Sequence, residues 1–389
     1  MKKIAILTPG NLPIPSVMGG AIETLVTYLI DENEKYGLFE FHIYNTDKYI
    51  DQYKDKSYKY TYVHTIKCTS IFDQVLNYLK LILRKITGFK IPYSSIYLDK
   101  VAAECRANDY NEILIEGLPY YAWGFYKKTG IKPILHLHTD IFDGSSRNSF
   151  ENLHSCKKVL CVSEYIRRQV LTIKDADKIP INVLLNCADI KQFNVQNKAK
   201  YRKESRAQLG IDLNDIVFIY AGRLNYNKGV GDIVEAFKKL TVSNAKLLIV
   251  GGSNFADSKP DLFVQSLMRE SELDSRIILT GYVPHSKLHK MFSAADFYVA
   301  PSKYYEAAPL ANIEANSMGL RSIISDRGGS TEYSFQNFDI VINVDCNSVQ
   351  NILDAMNALL ADNSQENIDS DLLAKFSVEN YYRTFVHLI

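Results

Sequence analysis

Two glutamates eight positions apart, Glu306 and Glu314 in Glu306-Ala-Ala-Pro-Leu-Ala-Asn-Ile-Glu314, are the first residues of this 389-residue chain that point to chemistry. A loop carboxylate can accept hydrogen bonds from sugar hydroxyls, while the free N–H groups opening the next helix can hold a phosphate. A second carboxylate inside that helix can accept from two hydroxyls of a ribose. By composition alone, both would be surface glutamates. A pair of cations adds to them. In Gly222-Arg223-Leu224-Asn225-Tyr226-Asn227-Lys228-Gly229, Arg223 and Lys228 follow an apolar run and precede a helical pattern. Together they could neutralise a diphosphate, Arg through its planar fork and Lys as a point charge. The same loop also reads as solvated surface charge.

Three further segments carry weaker signals. Gly19-Gly20 sits between a first strand and its helix, where glycine allows close backbone approach to an anion or simply makes a tight turn. The loop is not G-x-G-x-x-G, which speaks against a dinucleotide there. His136 and His138 share one strand face by the period of two. They read as a metal pair, as buried hydrogen-bonded histidines, or, in the preferred reading, with His138 contacting substrate. No further ligand with usable spacing follows them, so no metal is expected. Residues 72–91 mix apolar side chains with Lys80, Arg84, Lys85 and Lys90. An amphipathic helix of this kind could lie on an anionic membrane; it could equally turn its apolar face to the core and its basic face outward, the reading favoured here.

These residues need strands and helices to place them. Apolar runs at Lys3–Leu7, Phe39–Tyr44, Glu112–Ile115, Ile134–Leu137, Lys158–Val162 and Val183–Leu185 alternate with helical patterns such as Ala21–Glu32. A polar stretch, 188–214, reads as a linker. A second series follows at Asp215–Ala221, Lys246–Val250, Ile277–Leu279, Phe297–Ala300, Arg321–Ile324 and Ile340–Val344. The alternation implies an α/β chain of two Rossmann-like domains with parallel sheets, facing across a cleft, with ligands at the carboxyl ends of the strands.

Composition narrows the class. Hydrophobic residues make up 47% and charged residues 23%, as in globular proteins. The net charge of +1 gives no reason to expect nucleic acid as a partner. Six scattered cysteines without a C-x-x-C pair read as free thiols in a reducing cytoplasm. The N-terminus reads as a strand and no apolar run is long enough to span a bilayer.

Taken in order, these pieces resemble the family-4 glycosyltransferases of the GT-B fold, of bacterial surface-polysaccharide type. The matching residues are Gly19-Gly20, His138-Thr139, Gly222-Arg223 with Lys228-Gly229, Val250-Gly251-Gly252, Gly281-Tyr282-Val283-Pro284, Ala295-Asp296 with Pro301-Ser302, Glu306 with Glu314, and Gly328-Gly329-Ser330-Thr331-Glu332. The resemblance implies roles. Arg223 and Lys228 would hold the donor diphosphate and stabilise its leaving charge. Glu306 would bind the transferred sugar, helped by backbone at Ala308, Pro309 and Leu310. Glu314 would bind the ribose, and backbone at Tyr282 and Val283 would meet the base. Gly19 and Gly20 would approach phosphates or acceptor, and His138 the sugar. Ala307 and Ala308 stand where relatives often carry a glycine and an aromatic residue, a departure in the sugar pocket.

The resemblance further implies retention of anomeric configuration without a bound metal or other cofactor. The donor's own leaving phosphate oxygen would take the acceptor proton. A UDP-sugar donor, a hexose-type sugar and a glycan or lipid-linked acceptor in polysaccharide synthesis are the expected substrates. The expected location is the cytoplasm, at the inner face of the plasma membrane. The expected domains are 1–187 on the acceptor side and 188–371 on the donor side, with 372–389 crossing back to the first. The alternatives are a sugar-nucleotide epimerase of the same fold and a catalytically inactive assembly subunit.

Overall fold

The computed structural model describes residues 1–17, 19–253, 260–345, 348–362, 368 and 370–389. Contacts divide the chain into one unit of Met1–Asn186 with Val378–Ile389 and a second of Cys187–Ser377.

The first unit holds a parallel sheet of β1 (Lys2–Leu7), β2 (Phe39–Thr46), β3 (Thr61–Ile66), β4 (Glu112–Glu116), β5 (Ile134–Leu137), β6 (Lys158–Cys161) and β7 (Ile181–Val183), in the order β3-β2-β1-β4-β5-β6-β7. Its central strands are continuous apolar runs because both faces are covered; Ile4–Leu7 and Ile113–Ile115 are buried along their whole length. β3 escapes sequence reading because Thr61-Tyr-Val-His-Thr-Ile66 at the sheet edge carries polar residues at half-exposed positions. The last strand, expected at Val183–Leu185, forms at Ile181–Val183.

The second unit has β8 (Ile216–Ala221), β9 (Ala245–Val250), β10 (Ile277–Gly281), β11 (Phe297–Ala300), β12 (Arg321–Ser325) and β13 (Ile340–Ile342), again parallel, in the order β10-β9-β8-β11-β12-β13. Each sheet reverses direction beside its first strand, between β1 and β4 and between β8 and β11. Connections leave to opposite sides there, which opens a crevice at the strands' carboxyl ends.

The expectation for the polar stretch changes. The polar stretch 188–214 is not a linker: it contains the helix Val195–Leu209, capped by the Asn194 side chain. Sequence hydropathy misses this helix because its anchor is a cation. Arg206 is fully buried, donating to the carbonyls of Asp212, Leu213, Asp215 and Ala294 and pairing with Asp296 at 2.9 Å. The final helix, Val378–Leu388, packs in the first unit against the helix Ala21–Tyr36. Tyr382 stacks on Tyr36 at 5.7 Å and donates to Asn33 at 2.8 Å, while Phe385 meets Phe39 and Phe41 edge-on.

The helix Ile71–Ile86 is built the other way round from an ordinary surface helix. None of its residues is buried. Its polar side chains face the protein: Lys80 pairs with Asp99, Asn77 accepts from the Ile96 N–H at 2.8 Å, and Arg84 reaches Asn148 at 3.3 Å. Its apolar side chains face outward, with Ile71, Phe72 and Ile86 more than two-thirds exposed. The expectation of a core-facing apolar side with a basic outer face is therefore corrected. Asp99 and the Ile96 backbone compete for the polar face, and none of the described residues of the first unit covers the apolar one.

Candidate functional site

In the second unit the loops after β8 and β11 meet at the sheet's switch point. The turn Tyr226–Lys228 is capped by Asn225, whose Oδ1 accepts from the Lys228 N–H at 3.1 Å. Gly229 follows with φ +74°; a Cβ there would lie 2.3 Å from the Pro301 carbonyl, so only glycine lets the two loops close together. Lys228 Nζ consequently reaches Glu306 Oε1 at 2.5 Å, and Ser302 Oγ donates to the same oxygen at 2.6 Å. Glu306 is held from its other side by backbone: the Gly329 N–H donates to its carbonyl at 2.6 Å. Gly328 (φ +64°) lies so close beneath that a Cβ would meet that carbonyl at 2.4 Å. Arg223 is exposed at the end of β8 and has no carboxylate partner among the described residues. Its carbonyl accepts from Tyr220, anchoring the backbone while the guanidinium stays available.

Glu314 lies inside the helix Leu310–Ser317, which starts at Pro309 with no side-chain cap. The free N–H groups of that first turn therefore face the same loops. Tyr298, buried on β11, lies within electrostatic reach of both Glu306 and Glu314; burial first, then Tyr220, and after it these carboxylates, drive its phenol pKa far up. Tyr282 and Val283 follow β10, and the next helix, His285–Ala294, opens with His285 against Glu314 at 2.5 Å. Burial pulls the His285 imidazole down, but the Glu314 carboxylate and, further off, Asp189 outweigh this and hold its pKa above the ordinary value.

So Lys228, Glu306, the Leu310 helix start and Glu314 gather at one end of one sheet. Sequence reasoning misses Ser302 as a contact and His285 altogether. The signal for His285 is its place directly after Gly281-Tyr-Val-Pro284.

In the first unit, Gly20 caps the helix Ala21–Tyr36 without a side-chain cap. The space over it is taken by the chain itself. Glu23 Oε2 would touch a Cβ at Gly20. Burial, with Glu116 adding to it, raises the Glu23 carboxyl to about 7. A phosphate would compete with that carboxyl. His138 sits at the end of β5, with Nε2 2.7 Å from Glu116 Oε2, and His136 Nδ1 lies 3.1 Å from the same oxygen. A third group for the histidine pair thus exists, contrary to what the spacing implies. It comes from β4, twenty residues upstream of His136, and adjacent parallel strands bring it alongside.

The three ligand atoms lie within 4.8 Å of one another. A metal is a poor fit. His136 Nε2 and His138 Nδ1 are buried without partners, and metal-bound histidines need an acceptor for the second ring N–H. Neutral rings that both donate to Glu116 leave only unfilled acceptors, which costs less. His138 is held well below the ordinary histidine value by burial and by His136. Burial pushes the Glu116 carboxyl up, but the two histidines outweigh it and hold the group low. The signal for Glu116 is a charged residue closing an apolar strand just before a glycine.

Among the described residues no helix is long and apolar enough to cross a membrane, and Cys68, Cys105, Cys156 and Cys161 are free thiols.

Two parallel-sheet Rossmann-like domains with a loop cluster of this kind define the GT-B architecture. Residues 201–371, within the second unit, match the family model of glycosyl transferases group 1. The putative glycosyltransferase YtcC of Bacillus subtilis is 26% identical over 345 residues, 85% of this chain and 76% of that protein. The lipopolysaccharide 1,2-N-acetylglucosaminetransferase of Salmonella typhimurium is 25% identical over 308 residues, 76% of each. Among solved structures, HepE of Anabaena in complex with UDP and glucose superposes with a TM-score of 0.73 at 16% identity, covering 100% of this chain and 99% of that one.

Proposed function

We propose that this chain is a retaining glycosyltransferase that moves a hexose-type sugar from a UDP-sugar to a glycan or lipid-linked saccharide. The observation that carries the reading is the cluster of Lys228, Ser302 and Glu306 beside Arg223, at the switch point after β8 and β11. Without ligand, Lys228 and Glu306 neutralise each other. A bound donor would part them. Its diphosphate would take Lys228 and Arg223 together with the Leu310 helix start, and its sugar hydroxyls would take Glu306. Two cations and a helix N-terminus meet the diphosphate charge, so the reading assigns no metal to the donor. They would also stabilise the charge that grows on the leaving phosphate, which is where such groups lower a barrier most. The leaving phosphate oxygen accepts the acceptor hydroxyl's proton as the new glycosidic bond forms on the same face. The UDP of HepE and the lipopolysaccharide acceptor of the Salmonella relative support the donor and acceptor classes.

On the acceptor side we assign Glu23, about half protonated near neutral pH, the role of hydroxyl partner beside Gly20. The outward apolar face of the helix Ile71–Ile86, with Lys85 and Lys90 at its end, supports docking on the inner face of an anionic membrane, where a lipid-linked acceptor resides.

Calorimetric titration with UDP, GDP and ADP tests the donor, with UDP expected to bind. Transfer of a labelled sugar with the anomeric configuration followed by NMR tests the reaction. Label remaining on the nucleotide as an epimer, or no binding of any nucleoside diphosphate, would overturn it.

A further inference from the structure

Glu314 is nearly closed off, with only 4% of its side chain exposed, and it spends one oxygen inside the protein. Oε1 lies 2.5 Å from His285 Nε2. Oε2 has no hydrogen-bond partner among the described residues, yet it is not among the buried unsatisfied atoms, so it keeps a path to solvent. A carboxylate in so little water needs a counter-charge, and no Lys or Arg among the described residues pairs with it. The imidazole is itself placed by its surroundings. It opens the helix His285–Ala294, packs over Phe193 at 5.6 Å between ring centroids, and feels Asp189 from the segment before the helix Val195–Leu209. His289, one turn further along its own helix, is another titratable group near it.

We propose that His285 is the positioning residue of the nucleotide site: as an imidazolium it fixes Glu314 through Oε1, so that Oε2 alone is presented to a ribose hydroxyl. This rests on the reading of the second unit as a nucleotide site. It adds a consequence that Glu314 by itself would not have. A carboxylate free on both oxygens would grip two hydroxyls and be insensitive to pH above its own titration. Here the grip depends on the charge of a histidine. Below the raised His285 pKa the pair is neutral overall and its geometry is fixed by a charge-assisted hydrogen bond. Above it, Nε2–H can still donate, but the Glu314 charge is uncompensated close to an incoming diphosphate, and affinity falls.

The test is titration of the wild type, His285→Asn and His285→Lys with UDP and with 2′-deoxy-UDP and 3′-deoxy-UDP, from about pH 6 to about pH 9. Wild-type affinity for UDP is expected to fall as His285 loses its proton. His285→Asn should bind UDP roughly tenfold more weakly at low pH and show a flat profile relative to the wild type. His285→Lys, a cation across the whole range, should restore alkaline binding. Loss of one of the two hydroxyls should abolish the difference between wild type and His285→Asn, because Oε2 then has nothing to hold. In turnover, the Asn variant should raise KM for the donor and leave kcat near the wild-type value. Equal affinities and parallel pH profiles in wild type and His285→Asn would overturn the inference while leaving the nucleotide site standing. Failure of the wild type to bind UDP, GDP or ADP would overturn the site itself.

Discussion

The two units use the same sheet architecture but treat their charged groups in opposite ways. In the second unit the charges sit in loops beyond the strand ends and pair across them, Lys228 with Glu306 and His285 with Glu314. Each pair is within reach of solvent on at least one side and can exchange partners when a ligand arrives. In the first unit the charges are drawn into the protein. Glu116 and His136 are fully buried, His138 nearly so, and Glu23 is closed over by the loop before it. A group that must release its partner to a diphosphate has to remain solvated enough for the exchange to be cheap. A group that only shapes a wall can be sealed in, at the expense of stability whenever its partner is removed.

Substitutions in either unit test this contrast, and the largest effect should come from the second. Lys228→Ala leaves Glu306 without its ion pair and would remove the cation proposed to meet the leaving phosphate. Turnover should fall about 100- to 1000-fold while thermal unfolding stays close to the wild type. Normal turnover in this variant would end the assignment of the loop after β8 to the donor.

Glu116→Gln probes the sealed side. Replacing the carboxylate between two buried histidines should cost about 3 kcal/mol at neutral pH, read by denaturant unfolding of the whole chain. The pH dependence has a definite sign. Glu116 is depressed from 4.5 to about 2, so its contribution is present above about 4.5 and is lost as pH falls toward 2. His138 is depressed from 6.5 to about 4, so its burial as a neutral ring favours the fold above about 6.5 and less so below. Both act in the same direction. The wild type should lose stability progressively from about pH 6.5 downward, and the Gln variant should lose less of it below about 4.5. A pH-independent gap between the two proteins would contradict the ionised state of Glu116.

Gly229→Ala asks how tightly the second unit's loops are closed. With φ +74° and the Pro301 carbonyl in the way, the methyl group should destabilise by about 2 kcal/mol and weaken nucleotide binding through the displaced Lys228. An unchanged melting temperature would show that the loops can part without cost.

The smallest effect on the fold belongs to the helix Ile71–Ile86. Phe72→Ser together with Ile86→Ser should change stability by less than about 0.5 kcal/mol, because both side chains already face solvent. The same pair of changes should abolish sedimentation with vesicles containing phosphatidylglycerol. Marked destabilisation would mean that the apolar face is covered within the protein, and undiminished vesicle binding would remove the membrane from the functional reading.

Much of the fold and of the site is legible in the amino-acid sequence. Buried parallel strands announce themselves as short apolar runs, and β5 and β11 fall at the residues expected, Ile134–Leu137 and Phe297–Ala300. The loops with Arg223, Lys228, Glu306 and Glu314 can be read because strand, loop and helix follow one another locally, so sequence neighbours remain spatial neighbours. The helix Val195–Leu209 is hidden because its hold on the core is Arg206, and hydropathy counts a cation as surface. Edge strand β3 is hidden for the same kind of reason, since half-exposed positions carry polar residues.

Chain order alone supplies the set of groups: two carboxylates, two cations and a helix start, in an order suited to a sugar nucleotide. Their partners come from packing between segments distant in the chain. Parallel pairing of β4 with β5 sets Glu116 against His136 and His138, and the packing of the helix after Pro284 sets His285 against Glu314. The direction in which the helix Ile71–Ile86 faces is likewise set by Asp99 and the backbone at Ile96, which claim its polar side. An amphipathic pattern specifies that two faces differ, but which one turns inward depends on what the rest of the fold presents to it.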